Sequence, residues 1–272
     1  MNHSSPLFRL TRGQAPLLIT MQHVGTHIDA AIEERMQERA RLRADTDWHL
    51  ETLYDFAAGL GATVLAASTS RYVIDVNRAK DGSSLYPGKD TTALCPVDEF
   101  DSRPIYLDGQ APSDPEIKRR IAAHWDPFHD ALNGEITRLR ARHPTVVLWD
   151  AHSIRSVLPR FFDGRLPDLN FGTADGAACA DGLMQRITGL ARDQSEYSWV
   201  LNGRYKGGYT VRFYGQPAQG VHAVQLELAQ TTYMSESPPF GYEPEKASRL
   251  RPLLQSMLHE SLAFAATSHQ RA

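Results

Sequence analysis

Cysteine is almost missing from this chain: among 272 residues only Cys95 and Cys179 carry a thiol, and they form no CxxC pair. That excludes a disulfide framework and a zinc knuckle built on cysteines, and it fits a reducing compartment. No run approaches the about 18 apolar residues of a membrane-crossing helix, and the opening MNHSSPLFRLTRGQ has no apolar signal core. An excess of basic residues is also lacking. Lys and Arg number 29 against 32 Asp and Glu, a formal net charge of −3, so a nucleic-acid-binding surface is not favoured. There is no Gly-rich phosphate loop, no GxSxG elbow and no HExxH, which disfavours P-loop nucleotide hydrolysis and the common serine hydrolases. Internal repeats, low-complexity tracts and linker-like shifts in composition are absent too. The expectation is a cytoplasmic protein with neither membrane nor nucleic acid as partner; oligomeric state is not legible.

What is present is an ordinary globular balance, 42 % hydrophobic and 22 % charged, in a chain long enough to bury a large core. Short apolar runs at 17–22 (LLITMQ), 62–67 (ATVLAA), 72–76 (YVIDV), 145–149 (TVVLW), 197–201, 209–214 and 221–228 (VHAVQLEL) predict strands. Helical spacing is predicted over 29–44, over Asp45 to Leu60 with Asp45 or Thr46 as cap, over Pro115 to Arg142, over 177–192, and over Pro244 to about Thr267. Residues 79–114 and 154–176, rich in Gly, Pro and Asp, read as long loops, and loops of that length are uncommon unless functional. Alternating strands and helices imply an α/β fold around a mixed, mostly parallel sheet flanked by helices, with residues 1–272 as a single domain.

In open α/β sheets, sites form beyond the carboxyl ends of the strands. His23, the Arg71–Arg78 segment, Asp150 with His152, and Glu227 all fall at such places. His23 and His152 suit zinc, since strand ends are rigid and imidazole is a borderline-soft ligand, or they only bond loop backbone. A carboxylate would complete three protein ligands, and Asp47 is the candidate. Asp150 either orients an imidazole or caps a strand end. In SRYVIDVNR, Asp75 and Asn77 share one face of the predicted strand. Arg71 and Arg78 there suit carboxylate recognition and oxyanion stabilisation, or surface ion pairing. Glu227 interrupts an apolar strand, which points to proton transfer beside a metal, or to the solvent face of an edge strand in alternation with Gln225. Arg212, in GGYTVRFYG, suits an anionic substrate. The helix carrying His124, Trp125, Phe128 and His129 reads as core and surface.

Together the stretches TMQHVGTHI (20–28), DTDWHLETLYDF (45–56), SRYVIDVNR (70–78), WDAHSIRS (149–156), GRLPDLNFGT (164–173), NGRYKGGYTVRFYG (202–215) and VHAVQLELAQTTYM (221–234) resemble the N-formylglutamate amidohydrolase family of histidine degradation. That family is similar to the zinc carboxypeptidases and aspartoacylase. The resemblance implies a zinc-carboxypeptidase-like fold, one divalent zinc per chain, and hydrolysis of N-formyl-L-glutamate to formate and L-glutamate, the partner being a small N-acyl amino acid. It implies His23 and His152 as metal ligands, Asn77 and Arg78 as the grip on the substrate carboxylate, Arg71 on the scissile carbonyl and Glu227 as general base. One departure stands out: the related enzymes use His-x-x-Glu, whereas Thr26 follows His23 here. Asp47 is then the leading third ligand, with Asp45, His27 and His49 as rivals. Thr26 also keeps open a non-catalytic dicarboxylate-binding module, and a further reading is a hydrolase of another N-acyl amino acid or peptide.

Overall fold

The computed structural model describes residues 6–83, 88 and 90–267. Among these residues seven strands form one sheet: β1 (Phe8–Thr11), β2 (Leu17–Met21), β3 (Thr63–Ala67), β4 (Val146–Ile154), β5 (Leu169–Gly172), β6 (Trp199–Leu201) and β7 (Val221–Ala229). Their order across the sheet is β1-β3-β2-β4-β7-β5-β6. The β3-β2-β4-β7 core and the β5-β6 pair are parallel, while β1 and β5 join their neighbours β3 and β7 antiparallel. The sheet is therefore mixed and mostly parallel. The helices are α1 (Ala30–Glu33), α2 (Leu50–Leu53), α3 (Asp114–Arg120), α4 (Asp126–Arg140), α5 (Asp181–Arg192), α6 (Tyr209–Tyr214) and α7 (Pro244–Thr267).

Alternate strand residues point to opposite faces, and each face has its own apolar layer. Leu17, Ile19, Val147, Trp149, Val224 and Leu226 pack against α5 and α7 through Leu183, Ile187, Leu250 and Leu254. Leu18, Val146, Leu148, Val221 and Ala223 pack against α4 and α6 through Phe128, Leu132, Val211 and Tyr214. On this second face the apolar columns turn polar toward the carboxyl ends. Leu18 is followed two residues on by Thr20, Leu148 by Asp150 and His152, and Ala223 by Gln225 and Glu227. All five polar residues stay buried. Polar groups taken out of water must find partners, and here they find one another.

Several expected elements differ. The stretch 29–44 holds only α1 and a 3-10 turn at Arg39–Leu42. The helix expected over 45–60 shrinks to α2 and a 3-10 segment at Asp55–Leu60, with His49 left-handed before it. Asp45 does not cap that helix, because its carboxylate is taken by Arg155, Tyr72 and the Phe100 amide. Residues 72–76 are turns and not a strand, since their carbonyls go to side chains of α3 and α4, described below. Residues 209–214 form α6 and not a strand: Asn77 accepts from the Tyr209 amide through its carbonyl O and from the Thr210 amide through Oδ1. That cap across the chain outweighs the β-branched and aromatic preference of the segment. β1 and β5 lie outside the expected strands, β5 within the stretch 154–176 read as a loop. The helix expected over 115–142 is present as α3 and α4, joined by a π-helical stretch at Ile121–Trp125. Of the loop expected over 79–114, residues 84–87 and 89 lie outside the described residues, and 90–113 contain no helix or named strand. Among the described residues no helix is long and apolar enough to cross a membrane.

Candidate active site

Four parallel strands aim their carboxyl ends at one pocket of about 640 Å³, open mouth included. β2 leads into His23. β3 leads into Arg71, and the two loops lie together because His27 and Thr69 form an isolated parallel bridge. β4 carries His152 and β7 carries Glu227, and these two are direct partners in the strand register. His152 thus lies within β4, not beyond its end. Glu227 lies on a strand flanked on both sides, which removes the solvent-facing, edge-strand reading.

The two imidazoles face one carboxylate. Asp47 Oδ2 is 3.0 Å from His152 Nδ1 and 3.7 Å from His23 Nδ1. The Asp47 loop is laid on His23 by the Asp47 amide, which donates to the His23 carbonyl at 2.9 Å. The far ring nitrogens are held as well. His23 Nε2 sits 2.7 Å from Asp75 Oδ1, and His152 Nε2 sits 3.2 Å from Asp150 Oδ2 and 3.0 Å from Asn77 Nδ2. Asp150 is fixed in turn by the Thr20 hydroxyl, which donates to it at 2.7 Å. A carboxylate behind an imidazole sets its tautomer and ring orientation for metal binding.

The donor atoms of His23, Asp47 and His152 all lie within 4.8 Å of one another, and all three residues are buried. Asp47 Oδ1 is a buried oxygen with no hydrogen-bond partner. Arg71 Nη1, 3.7 Å away, pairs with it by charge but is too far to donate a hydrogen bond, and a bound cation would satisfy it. Two imidazoles and a carboxylate are also the ligand chemistry of a catalytic zinc. The residues therefore fit the metal that the sequence implies. The rivals for the third position lie elsewhere. His27 pairs with Asp29 on the surface, His49 bonds the Phe240 carbonyl, and Asp45 is bound as described above. Thr26 is exposed.

Electrostatics point the same way. Burial works against a charged His152, but Asp150 and Asp47 outweigh it and raise its pKa well above the ordinary value. Burial likewise opposes ionisation of Asp47 and Asp75. For Asp47 the hydrogen bonds from His152 and His23 prevail, and for Asp75 the charges of His23 and Arg71 do, so both stay ionised. A field that favours a positive imidazole favours a divalent cation at the same place. Glu227 differs: burial pushes its carboxyl up to about 8 against the opposing pull of His152.

The opposite wall is the 70–78 loop. Arg71 Nη2 meets Asp75 Oδ2 at 3.0 Å and its Nη1 lies 3.7 Å from Asp47 Oδ1, while Phe100 stacks over the guanidinium at 4.6 Å. Arg78 Nη2 donates to Thr92 Oγ1 at 3.0 Å, and its Nε lies 3.6 Å from Asp75 Oδ2. The loop carbonyls are taken by three donors from the helical spine: Arg120 on Val73, His129 on Val76 and Trp125 on Arg78, each at 2.8 Å. Trp125 and His129, expected to be only core and surface, therefore shape the site. Gly208 closes this corner. A Cβ there would meet the Asn77 side chain at 2.4–2.7 Å, and its amide donates to Gln225 Oε1 at 2.8 Å.

Of the residues expected to act on substrate or metal, His23, Arg71, Asn77, Arg78, His152 and Glu227 line the pocket, with Asp47 behind the imidazoles. Arg212 is not brought there: it sits on α6, and its Nε donates to the Gly207 carbonyl. Sequence reasoning missed Arg204 and Gln225, both pocket-lining. The position of Gln225, two residues before Glu227 and hence on the same side of a strand, was the available signal for it.

The N-formylglutamate amidohydrolase family pattern matches residues 15–234. An N-formylglutamate deformylase from Pseudomonas putida is 48 % identical over 260 residues, spanning 96 % of this chain and 97 % of its own. One from Pseudomonas aeruginosa is 50 % identical over 253 residues, spanning 93 % and 95 %. Among solved structures, an N-formylglutamate amidohydrolase from Ralstonia eutropha superposes with a TM-score of 0.80 at 26 % identity, covering 97 % of this chain and 99 % of that one. A protein from Agrobacterium tumefaciens shares the fold, with a TM-score of 0.71 at 17 % identity over 98 % and 97 % of the two chains.

Proposed function

The chain belongs to the N-formylglutamate amidohydrolase family, and from that premise we propose that it hydrolyses N-formyl-L-glutamate to formate and L-glutamate with one zinc ion, as a step of histidine degradation in the cytoplasm. The observation that carries the reading is the buried His23–Asp47–His152 cluster with an unsatisfied Asp47 oxygen, placed beside Glu227 and facing an arginine-lined wall. We assign the whole chain to one catalytic unit.

Zinc held by His23, Asp47 and His152 would lower the pKa of water toward about 7 and polarise the formyl carbonyl. The protein's own groups do the rest. Glu227 accepts a proton from the water that attacks the formyl carbon. Burial raises its pKa in the metal-free protein, and a divalent cation at the neighbouring cluster would draw it back toward the operating range, where a carboxylate can both accept a proton and return it. Arg71 faces the oxygen that becomes negative as the tetrahedral centre forms, and Phe100 and Asp75 hold its guanidinium in place before the reaction. Glu227 then delivers the proton to the departing nitrogen, the C–N bond breaks, and formate and glutamate result. Asn77 and Arg78 hold the α-carboxylate so that the formyl group reaches the metal. Arg78 presents a fork of donors, which suits a planar carboxylate.

Asp47 beside both imidazoles supports this catalytic reading over the binding module that Thr26 leaves open. The test is formate release from N-formyl-L-glutamate, with metal content measured before and after chelation. About one zinc per chain, with activity lost on stripping and regained on zinc addition, is the expected result. Unchanged turnover after verified metal removal overturns the metal assignment, and no release from the zinc-loaded protein overturns the substrate.

A further inference from the structure

Among the described residues three guanidinium groups line the pocket: Arg71, Arg78 and Arg204. Arg71 and Arg78 converge on Asp75 Oδ2, at 3.0 and 3.6 Å. Arg204 enters from a different element, the loop between β6 and α6. Both ends of that loop are clamped. At one end Asn202 Oδ1 accepts from the Thr173 amide at 2.9 Å and Asn202 Nδ2 donates to Thr173 Oγ1 at 3.0 Å; at the other the Gly208 amide donates to Gln225. The guanidinium is aimed by two carbonyls: its Nε donates to the Phe161 O at 2.7 Å and its Nη2 to the Asp90 O at 3.3 Å. The Asp90 carboxylate is itself engaged by Arg160, at 2.9 and 3.2 Å. The rings of Phe161 and Tyr205 lie 5.9 and 5.3 Å from the Arg204 guanidinium carbon. Apolar rings beside a cation lower the local dielectric and strengthen its pull on an anion.

We propose that Arg204 is the receptor for the side-chain carboxylate of the acylated amino acid, and that it makes the pocket select a diacid over a neutral amino acid. This inference rests on the function proposed above and names its specificity determinant. Formylglutamate presents three negative loci as it reacts: the carbonyl oxygen, the α-carboxylate and the γ-carboxylate. Arg71 stands beside the metal cluster for the first, and Arg78 with Asn77 serves the second. The third would enter a pocket walled in part by Phe161 and Tyr205, where an unpaired carboxylate is costly, and Arg204 is the guanidinium among the described lining residues that neither of the first two tasks uses. Arg212, expected from sequence to share this task, is outside the pocket lining.

Calorimetry with glutarate and with its monoamide, glutaramate, tests the receptor without turnover. The wild type is expected to bind glutarate about 10–10²-fold more tightly, the range of a charge-assisted hydrogen-bond pair. Arg204→Met is expected to erase that preference while leaving glutaramate affinity within about threefold. Arg204→Lys, which keeps the charge and loses the fork, retains part of it. Arg204→Gln replaces the Met variant, with the same expectation, should that one not fold. Formate release from N-formyl-L-glutamate and N-formyl-L-glutamine repeats the comparison in kcat/KM. Equal loss on the acid and the amide, or a diacid preference that survives Arg204→Met, overturns the proposal. A diacid preference erased by Arg204→Met in a protein that releases no formate would overturn the substrate assignment and leave the role of Arg204 standing.

Discussion

The two walls of the pocket are built by different means. His152 and Glu227 ride on adjacent central strands, where the β4–β7 ladder fixes both backbones and places them as register partners. Arg71, Asp75, Asn77 and Arg78 ride on a loop with no ladder at all. Their backbone is held at Val73, Val76 and Arg78 by Arg120, His129 and Trp125 reaching across from the helical spine. Repeated ladder bonds give precision on one side; on the other it comes from these side-chain bonds and from isolated backbone bonds, the Asp75 amide to the Leu94 carbonyl and the Tyr209 amide to the Asn77 carbonyl. The strand wall should therefore tolerate substitution without moving, whereas the loop wall can be displaced by changing residues that never meet the substrate.

The largest effects are expected at the strand wall. His152→Ala should abolish both metal retention and formate release, read by metal analysis and a formate assay, with little loss of secondary structure by circular dichroism. Glu227→Gln should lower kcat by about 10²–10⁴-fold with metal content unchanged. The same variant sharpens the comparison through its stability. The folded-state pKa of Glu227 is raised to about 8 from an ordinary value of 4.5, so the folded protein holds a proton that the unfolded chain has released. Stability of the metal-free protein then falls as pH rises from 4.5 through about 8, and the Gln variant should escape that fall. Equal melting curves for the two metal-free proteins at pH 9 would contradict it.

Changes on the loop wall grade downward from there. Arg71→Met should reduce kcat by about 10²–10³-fold, as for loss of one oxyanion donor, with metal retained. Trp125→Phe removes the donor to the Arg78 carbonyl and part of a buried ring packed on His129 and Tyr209. It should raise KM by about tenfold with kcat less affected, and it should speed amide exchange over 70–78. If kcat and KM stay at wild-type values, the loop does not depend on its anchors. The smallest effect belongs to Glu116, which Arg35 and Arg120 hold down to about 2 and which braces Arg120 behind the loop. Glu116→Gln should cost about 1–2 kcal/mol at neutral pH. Because the folded pKa is depressed, that difference is present above about 4.5 and should vanish as pH falls toward 2.

The two walls also differ in how far they can be read from residues alone. The central strands at 17–22, 145–149 and 221–228 announce themselves as apolar runs, and the polar residues at their carboxyl ends, His23, Asp150, His152 and Glu227, mark the site. The loop wall misleads. YVIDV has the composition of a strand, and TVRFY has too, yet one is a turn and the other a helix. In both cases the deciding bonds come from residues remote in sequence, from α3 and α4 for the first and from Asn77 for the second. Asp47 is one candidate among several in the sequence, since nothing local distinguishes it from Asp45, two residues away. Only folding shows that one faces two imidazoles and the other faces Arg155, Tyr72 and the Phe100 amide.

By itself the sequence determined the alternation of buried strands and helices, and with it the edge of the sheet where chemistry would gather, because hydrophobic periodicity is local and strand ends follow from it. The tertiary structure alone decided which carboxylate joins the histidines, that Arg204 and not Arg212 borders the pocket, and that Trp125 and His129 serve the site. Those outcomes depend on distances between segments far apart along the chain, and a one-dimensional pattern holds no record of such distances.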